Sequence, residues 1–331
     1  MIENKHIIIL GDGGWGTTLG ILLFKKGYKV TIWSPFEDYA RLIDKKRENI
    51  NYLKGIKIPH GIKITGDILC IKQASVIVIA VPSQYLRSVL VKAKKFYDKS
   101  IPVVSVVKGI ENKSGFRMSE VIGEVWGPKD LAVLSGPTIA LEVAKEIPTT
   151  VVAASKNKKL MLKVQDLFMT PFFRVYTNSD VAGVELSGSL KNIIAIACGV
   201  SDGLGFGTNT KAAILTRGLT EISRLGKAMG AKSETFSGIS GLGDLVTTCI
   251  SKQSRNRMVG ELIGKGKKIK EIYRHMQMIA EGVPTTKSAY ALSLKYNVDM
   301  PIIKEVYHLL YMNKSPHQTV KDLMMRRSKE E

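Results

Sequence analysis

The feature that most constrains this chain lies at its start. The apolar run His6-Ile7-Ile8-Ile9-Leu10 breaks directly into Gly11-Asp12-Gly13-Gly14-Trp15-Gly16, and a helical pattern follows from Trp15 to Lys26. Three of the glycines fall at the spacing G-x-G-x-x-G. A strand, a glycine turn and a helix in immediate succession open the βαβ unit that binds dinucleotides. Each glycine has a separate task there. Gly11 permits the tight turn, Gly13 lets the backbone approach a pyrophosphate, and Gly16 lets the helix pack on the strand. The helix N-terminus offers unpaired N–H groups and a partial positive charge to the phosphates. A turn that merely needs positive φ would use the same glycines. The surrounding alternation of strands and helices favours the nucleotide reading.

That alternation continues. His6–Leu10, Lys29–Trp33, Val76–Val81, Pro102–Val107, Leu131–Ser135 and Thr149–Ala154 read as short buried strands. Each is rich in β-branched residues and closed by Gly, Pro or Ser. Helical patterns lie between them, at Tyr85–Lys95 and Leu160–Phe168 for example. The expected fold class is therefore α/β, with a mostly parallel sheet covered on both faces. Near residue 180 the pattern turns helical. Val181–Val200 is long and apolar, with small residues that suit close packing, and further helices are expected at Asn209–Met229, Arg257–Lys265, Thr285–Lys295 and Ile302–Met312. The expected domains are 1–180, binding the dinucleotide, and 181–331, all-helical and carrying the catalytic and substrate-binding groups.

Composition excludes several classes. With 331 residues, 44% of them hydrophobic, the chain can bury two cores. Its uninterrupted apolar runs fall far short of the ~20 residues that span a bilayer, so no membrane insertion is expected. The first apolar run ends in the glycine loop and not in a cleavage site, so no secretory leader is expected. Cys70, Cys198 and Cys249 form no metal-binding or redox spacing, which points to a reducing, cytoplasmic setting and no metal. The net charge of +20 raises nucleic-acid binding as a rival function. However, the 37 lysines and 12 arginines are spread along the chain among acids, without interleaved aromatics. A lysine-rich surface explains them, no nucleic-acid partner is expected, and the positive field would attract an anionic substrate.

Polar groups inside apolar context mark the chemistry. Lys108 stands at the end of a buried strand, and Ser135-Gly136-Pro137-Thr138 ends another and opens a helix. Open α/β sheets bind ligands outside such carboxyl ends, which suits Lys108, Gly136 and Thr138. An ordinary charged strand end would also account for Lys108. Lys191 interrupts the long apolar helix. It either snorkels to solvent or projects inward, where burial and a neighbouring cation favour a neutral amine able to exchange a proton. Asp244, in Gly241-Leu242-Gly243-Asp244-Leu245, could orient such a lysine. Ser254-Arg255-Asn256 at a helix start forms a phosphate clamp, with the Arg fork, two further donors and the helix end. The plainer alternative is an N-cap followed by surface arginines. The second strand ends in Trp33-Ser34-Pro35-Phe36, with neither an acid for a ribose 2′-OH nor an arginine for a 2′-phosphate, and Glu37 and Arg41 come later. The choice between NAD(H) and NADP(H) is therefore open.

Taken together, GDGGWGTTL (11–19), VVKGIE (106–111), LSGPT (134–138), ELSGSLKNIIAIACGVSDGLGFG (185–207), GLGDLVTTC (241–249), QSRNR (253–257) and EG (281–282) closely resemble the bacterial-type NAD(P)-dependent sn-glycerol-3-phosphate dehydrogenase family. The resemblance runs nearly the whole length. It implies a Rossmann-type domain followed by an all-helical domain of the 6-phosphogluconate dehydrogenase-like kind. It also implies hydride transfer between NAD(H) or NADP(H) and C2 of dihydroxyacetone phosphate or sn-glycerol 3-phosphate, feeding phospholipid synthesis, in an enzyme commonly homodimeric. By matched position, Lys191 is the acid and base, with Lys108 and Asp244 beside it in catalysis. Gly136, Thr138, Ser254, Arg255 and Asn256 join these three at the substrate. Gly14, Trp15, Lys108, Ala140, Arg255, Ile279 and Glu281 join the loop glycines at the cofactor. Two positions depart from the pattern: Asp12 stands where a small residue is usual in the loop, and Ser34-Pro35 stands where members that use NADPH often carry an arginine or histidine after the tryptophan. A relative acting on a hydroxyacid, such as 3-hydroxyisobutyrate or 6-phosphogluconate, is the alternative enzyme. Lys108 and the clamp favour the small phosphate substrate.

Overall fold

The computed structural model describes residues 5–274, 276, 278–328 and 330. Contacts divide the chain into two compact units, one formed by residues 1–108 and 116–185, the other by 109–115 and 186–331. The chain passes between them three times, and the last passage, at 185–186, falls inside a helix.

The first unit carries eight strands among the described residues: β1 (His6–Leu10), β2 (Lys29–Trp33), β3 (Lys63–Thr65), β4 (Val76–Ile79), β5 (Val103–Ser105), β6 (Leu131–Ser135), β7 (Thr149–Ala154) and β8 (Phe173–Asn178). They form one sheet in the order β3-β2-β1-β4-β5-β6-β7-β8. All neighbours are parallel except β6 and β7. Strand order reverses between β1 and β4, the switch point where doubly wound sheets bind ligands. Every residue of β1 is buried. Ile7 and Ile9 join the core on one face, with Leu19, Leu22 and Val104, while Ile8 and Leu10 join that on the other, with Leu86, Leu90 and Ile122. This is why a continuous apolar run, rather than an alternating one, makes a central parallel strand. Helices α1 (Gly14–Lys25), α2 (Glu37–Lys46), α3 (Leu86–Ala93), α4 (Met118–Val125), α5 (Ala140–Ala144) and α6 (Lys158–Phe168) complete the layers. Two expected strands are shorter than their apolar runs: β4 stops at Ile79 and β5 at Ser105. Beyond them the chain leaves the ladder toward the loops at the carboxyl ends of the sheet.

The second unit is helical: α7 (Val181–Gly203, whose first turn belongs to the first unit), α8 (Thr208–Ala228), α9 (Ser233–Phe236), α10 (Asp244–Ile250), α11 (Arg255–Gly264), α12 (Ile269–Arg274), α13 (Gly282–Lys295), α14 (Pro301–Tyr311) and α15 (Pro316–Met324). Asp180 starts α7 by accepting the Gly183 N–H at 3.0 Å, an N-cap contact. By length and composition α7 could cross a membrane, but 89% of its apolar stretch is buried inside the protein.

Glu221 links α8 to α14. It is buried and accepts the N–H groups of Ile302 (2.8 Å) and Ile303 (3.1 Å) in the first turn of α14. Burial pushes its carboxyl up from 4.5 to about 7; Asp299 adds to the rise, and the two amides and Arg326 oppose it. The folded value exceeds the unfolded one. The stability this group contributes is therefore full at low pH and lost as pH rises through about 7. At ~1.4 kcal/mol per pH unit the loss is roughly 3 kcal/mol. Glu221→Gln, which stays neutral, should gain Tm relative to the native chain between about pH 5 and about pH 8. A Tm difference that does not change with pH excludes this assignment.

Candidate active site

The first constellation lies at the carboxyl ends of β1, β4, β5 and β6. Gly11 has φ +121°, and a Cβ there would lie 2.6 Å from the Ala80 carbonyl oxygen just beyond β4. A Cβ on Gly16 would strike the Gly11 carbonyl oxygen, so loop and helix close tightly. Around Gly13 a Cβ would meet nothing within 4 Å. Gly13 caps α1 without any side chain, and the first turn holds no acid. The open face at Gly13 and the uncapped, acid-free helix end fit a pyrophosphate. Gly14 approaches the Tyr52 carbonyl and lies 3.8 Å, as a virtual Cβ, from the Ala140 Cβ. Ala140 is further tied to α1 by Thr18 Oγ1, which donates to its carbonyl at 3.1 Å. The Trp15 ring is half-buried, with its centroid 6.3 Å from that of Phe173.

The Asp12 side chain is tied to the residue that follows β2. Its Oδ2 accepts the Ser34 hydroxyl at 2.6 Å, while its backbone carbonyl accepts Asn49 Nδ2 at 2.6 Å and Thr17 Oγ1 at 3.3 Å. Burial pushes its carboxyl up and the Ser34 bond pulls it back.

Lys108 follows β5 by three residues. Its Nζ donates to the Gly136 carbonyl at 2.8 Å and to Thr138 Oγ1 at 3.2 Å. Gly136 has φ +141° and packs against the backbone of Thr150 and Val151, so a side chain there is strained twice over. Lys108, Gly136 and Thr138 are thus one hydrogen-bonded group.

The second constellation belongs to α7, α10, α11 and α13. Lys191 is 5% exposed and Asp244 1%. The Lys191 ammonium donates to Asp244 Oδ1 and, at 2.5 Å, to Thr248 Oγ1. Thr248 lies one helical turn after Asp244 and donates its own proton to the Asp244 carbonyl at 2.7 Å. Lys191 therefore does not snorkel; it is buried and held at fixed geometry by a carboxylate and a hydroxyl. Thr248 was not among the expected residues, because a threonine one turn from an acid looks like any helical residue until the partner is known.

The expected clamp is divided. Ser254 is the N-cap of α11 and accepts the Arg257 N–H at 3.3 Å. Asn256 is buried; its amide donates to Asn192 Oδ1 at 2.9 Å and accepts the Gly282 N–H at 2.9 Å, joining α7, α11 and α13. Arg255 is exposed and lies within electrostatic reach of Glu281, the residue that precedes α13. Ile279 is part-buried in the preceding loop.

A family profile described as "NAD-dependent glycerol-3-phosphate dehydrogenase N-terminus" matches residues 6–161, and one described as "NAD-dependent glycerol-3-phosphate dehydrogenase C-terminus" matches 180–321. A glycerol-3-phosphate dehydrogenase (NAD(P)+) of Chlorobium phaeobacteroides is 50% identical over 329 residues, covering 98% of each chain. One of Syntrophomonas wolfei is 48% identical over 329 residues, covering 98% of this chain and 96% of its own. The crystal structure of glycerol-3-phosphate dehydrogenase from Coxiella burnetii superposes with a TM-score of 0.95 at 38% identity, covering 98% and 99%. The chain belongs to the NAD-dependent glycerol-3-phosphate dehydrogenase family.

Proposed function

We propose that Lys191 exchanges the proton when this enzyme interconverts dihydroxyacetone phosphate and sn-glycerol 3-phosphate with NAD(P)H, the reaction of its family. The observation that carries the assignment is a buried ammonium fixed by Asp244 and Thr248. When bound, the nicotinamide supplies the hydride to C2 or receives it. Lys191 gives a proton to the C2 oxygen in reduction and takes it back in oxidation. Asp244 keeps the ammonium oriented, and Lys108, poised by Gly136 and Thr138, binds the substrate. Gly11, Gly13, Gly14, Trp15 and Gly16 hold the dinucleotide, with Lys108, Ala140, Arg255, Ile279 and Glu281. Residues 1–180 thus carry the dinucleotide loop and 181–331 the proton-exchanging lysine, and each also lends residues to the other's ligand.

Arg255 binds the substrate phosphate, with Ser254 and Asn256 shaping the helix end around it. Of the three side chains only Arg255 is exposed, and the other two make the internal bonds that hold α11 in place. We further propose that the enzyme works in the cytoplasm as a homodimer, with no membrane-inserted segment, and supplies glycerol 3-phosphate for phospholipid synthesis.

The test is loss of reduced-nicotinamide absorbance on mixing the protein, NADH or NADPH, and dihydroxyacetone phosphate. A folded sample with no turnover on either cofactor rejects the reading. In the same assay Arg255→Ala should raise the substrate KM by about tenfold to a hundredfold, the scale of a lost hydrogen bond to a charged group, with a smaller change in kcat. An unchanged KM removes Arg255 from the phosphate site.

A further inference from the structure

The two departures from the family pattern meet in space. β2 ends at Trp33, and about twenty residues beyond the glycine turn is where a dinucleotide fold places the acid that reads a ribose 2′-OH. That place holds Ser34, fully buried. The Ser34 hydroxyl donates to Asp12 Oδ2 at 2.6 Å, and the Gly11 N–H bonds the Trp33 carbonyl at 3.0 Å, so the loop residue and the strand end are locked together. Asp12 is 7% exposed, and its backbone is pinned by Asn49 and Thr17.

We propose that Asp12 selects NAD(H) over NADP(H) in this enzyme, its carboxylate supplying through Ser34 the negative charge that β2 itself lacks. The inference rests on the reading that the glycine loop holds the dinucleotide. Two effects combine. A 2′-phosphate meets a like charge in a poorly solvated place, which is costly. It also finds its nearest donors engaged. Ser34 is committed to Asp12, and the Phe36 N–H donates to Ser34 Oγ at 3.1 Å. Arg41 is already paired on the surface with Glu37 (3.3 Å) and Asp38 (3.9 Å), and Lys92 lies over the Trp33 ring at 5.8 Å. A neutral ribose hydroxyl suffers neither penalty. Ser34 is a positioning residue that holds the carboxylate at the strand end. Glu37, which folds over Gly66 and pairs with Arg41, and Asp38, fully exposed beside the same arginine, do not discriminate.

The experiment is equilibrium binding to the full-length protein, followed by nicotinamide fluorescence for NADH and NADPH and by calorimetry for 5′-AMP and adenosine 2′,5′-bisphosphate. The native chain should bind NADH at least about tenfold more tightly than NADPH, with the same order for the two adenosine phosphates. Asp12→Asn keeps the side-chain shape and an acceptor for Ser34, and should shrink the ratio several-fold by tightening NADPH. Glu37→Gln should leave the ratio unchanged. Equal affinities in the native chain overturn the proposal without need of any variant. So does a ratio that ignores Asp12→Asn or follows Glu37→Gln. Failure of the folded native chain to bind either dinucleotide overturns the loop assignment beneath it.

Discussion

Lys191→Ala should lower kcat by ~10²-fold or more, the scale of lost general acid–base catalysis, with little change in the binding of the dinucleotide. The difficulty in reading such a variant is that Lys191 is also half of a buried ion pair. Removing it leaves the Asp244 carboxylate, 1% exposed, without its ammonium. Breaking a buried pair from one side costs about 3 kcal/mol or more, so a lost rate could be mistaken for a lost fold. The double variant Lys191→Met with Asp244→Asn separates the two. It removes both charges, keeps the packing volume near that of the native pair and should recover much of the lost Tm, since replacing a buried pair by neutral groups is often nearly neutral. Its kcat should stay as low as that of the single variant, because the amine assigned to deliver the proton is still absent. A double variant that recovers turnover together with Tm would make the pair a structural strut and nothing more.

How much of this was legible beforehand depends on where each signal resides. Continuous apolar runs announced six strands, because central parallel strands bury both faces. β8 did not announce itself. In Phe173-Arg174-Val175-Tyr176-Thr177-Asn178 only Phe173 and Val175 are buried, as at a sheet edge, and the run is polar on average. β3 is three residues long and offers too little pattern to count. Lys191 and Asp244 stood out because each is a charge in an apolar setting. Thr248, Asn192 and Asn49 did not, since hydrogen-bonding roles of neutral polar side chains depend on partners far away in sequence. Asn256 bonds Asn192 across 64 positions, and Asn49 bonds the Asp12 carbonyl across 37. Asp12 and Ser34 were both visible as departures, but their relation spans 22 positions and appears only in the folded sheet.

Gly260→Ala should destabilise the protein by about 3 kcal/mol, the upper end of overpacking penalties, while Gly123→Ala should be neutral or stabilising by up to ~1 kcal/mol. The chemical change is the same and both glycines lie inside helices, α11 and α4, so helix propensity alone would make both substitutions favourable. Their surroundings decide the sign. A Cβ on Gly123 would meet nothing within 4 Å. One on Gly260 would strike the Ile196 carbonyl oxygen and lie 2.9 Å from the Val200 nitrogen, both backbone atoms of α7. The contact is reciprocal. Gly199 faces the Arg257 carbonyl, Gly203 lies against Glu261 and Gly264, and a Cβ on Gly264 would sit 2.5 Å from the Val200 carbonyl oxygen. Two pairs of glycines, each four residues apart, let α7 and α11 touch backbone to backbone, and a backbone cannot rotate aside as a side chain can. The sequence shows small residues along α7, but the four glycines that touch are known only once α11 is seen to cross it. The methyl must push the helices apart. Arg255 opens α11, and Arg257 holds Asp202 of α7 at 2.6 Å, so the displacement should reach the proposed phosphate end as well. Gly260→Ala is therefore expected to lower Tm by about four degrees and to raise substrate KM in the fraction that remains folded. Equal melting shifts for the two alanine variants would show that the glycine crossing carries no strain and that α11 is positioned by its side-chain bonds alone.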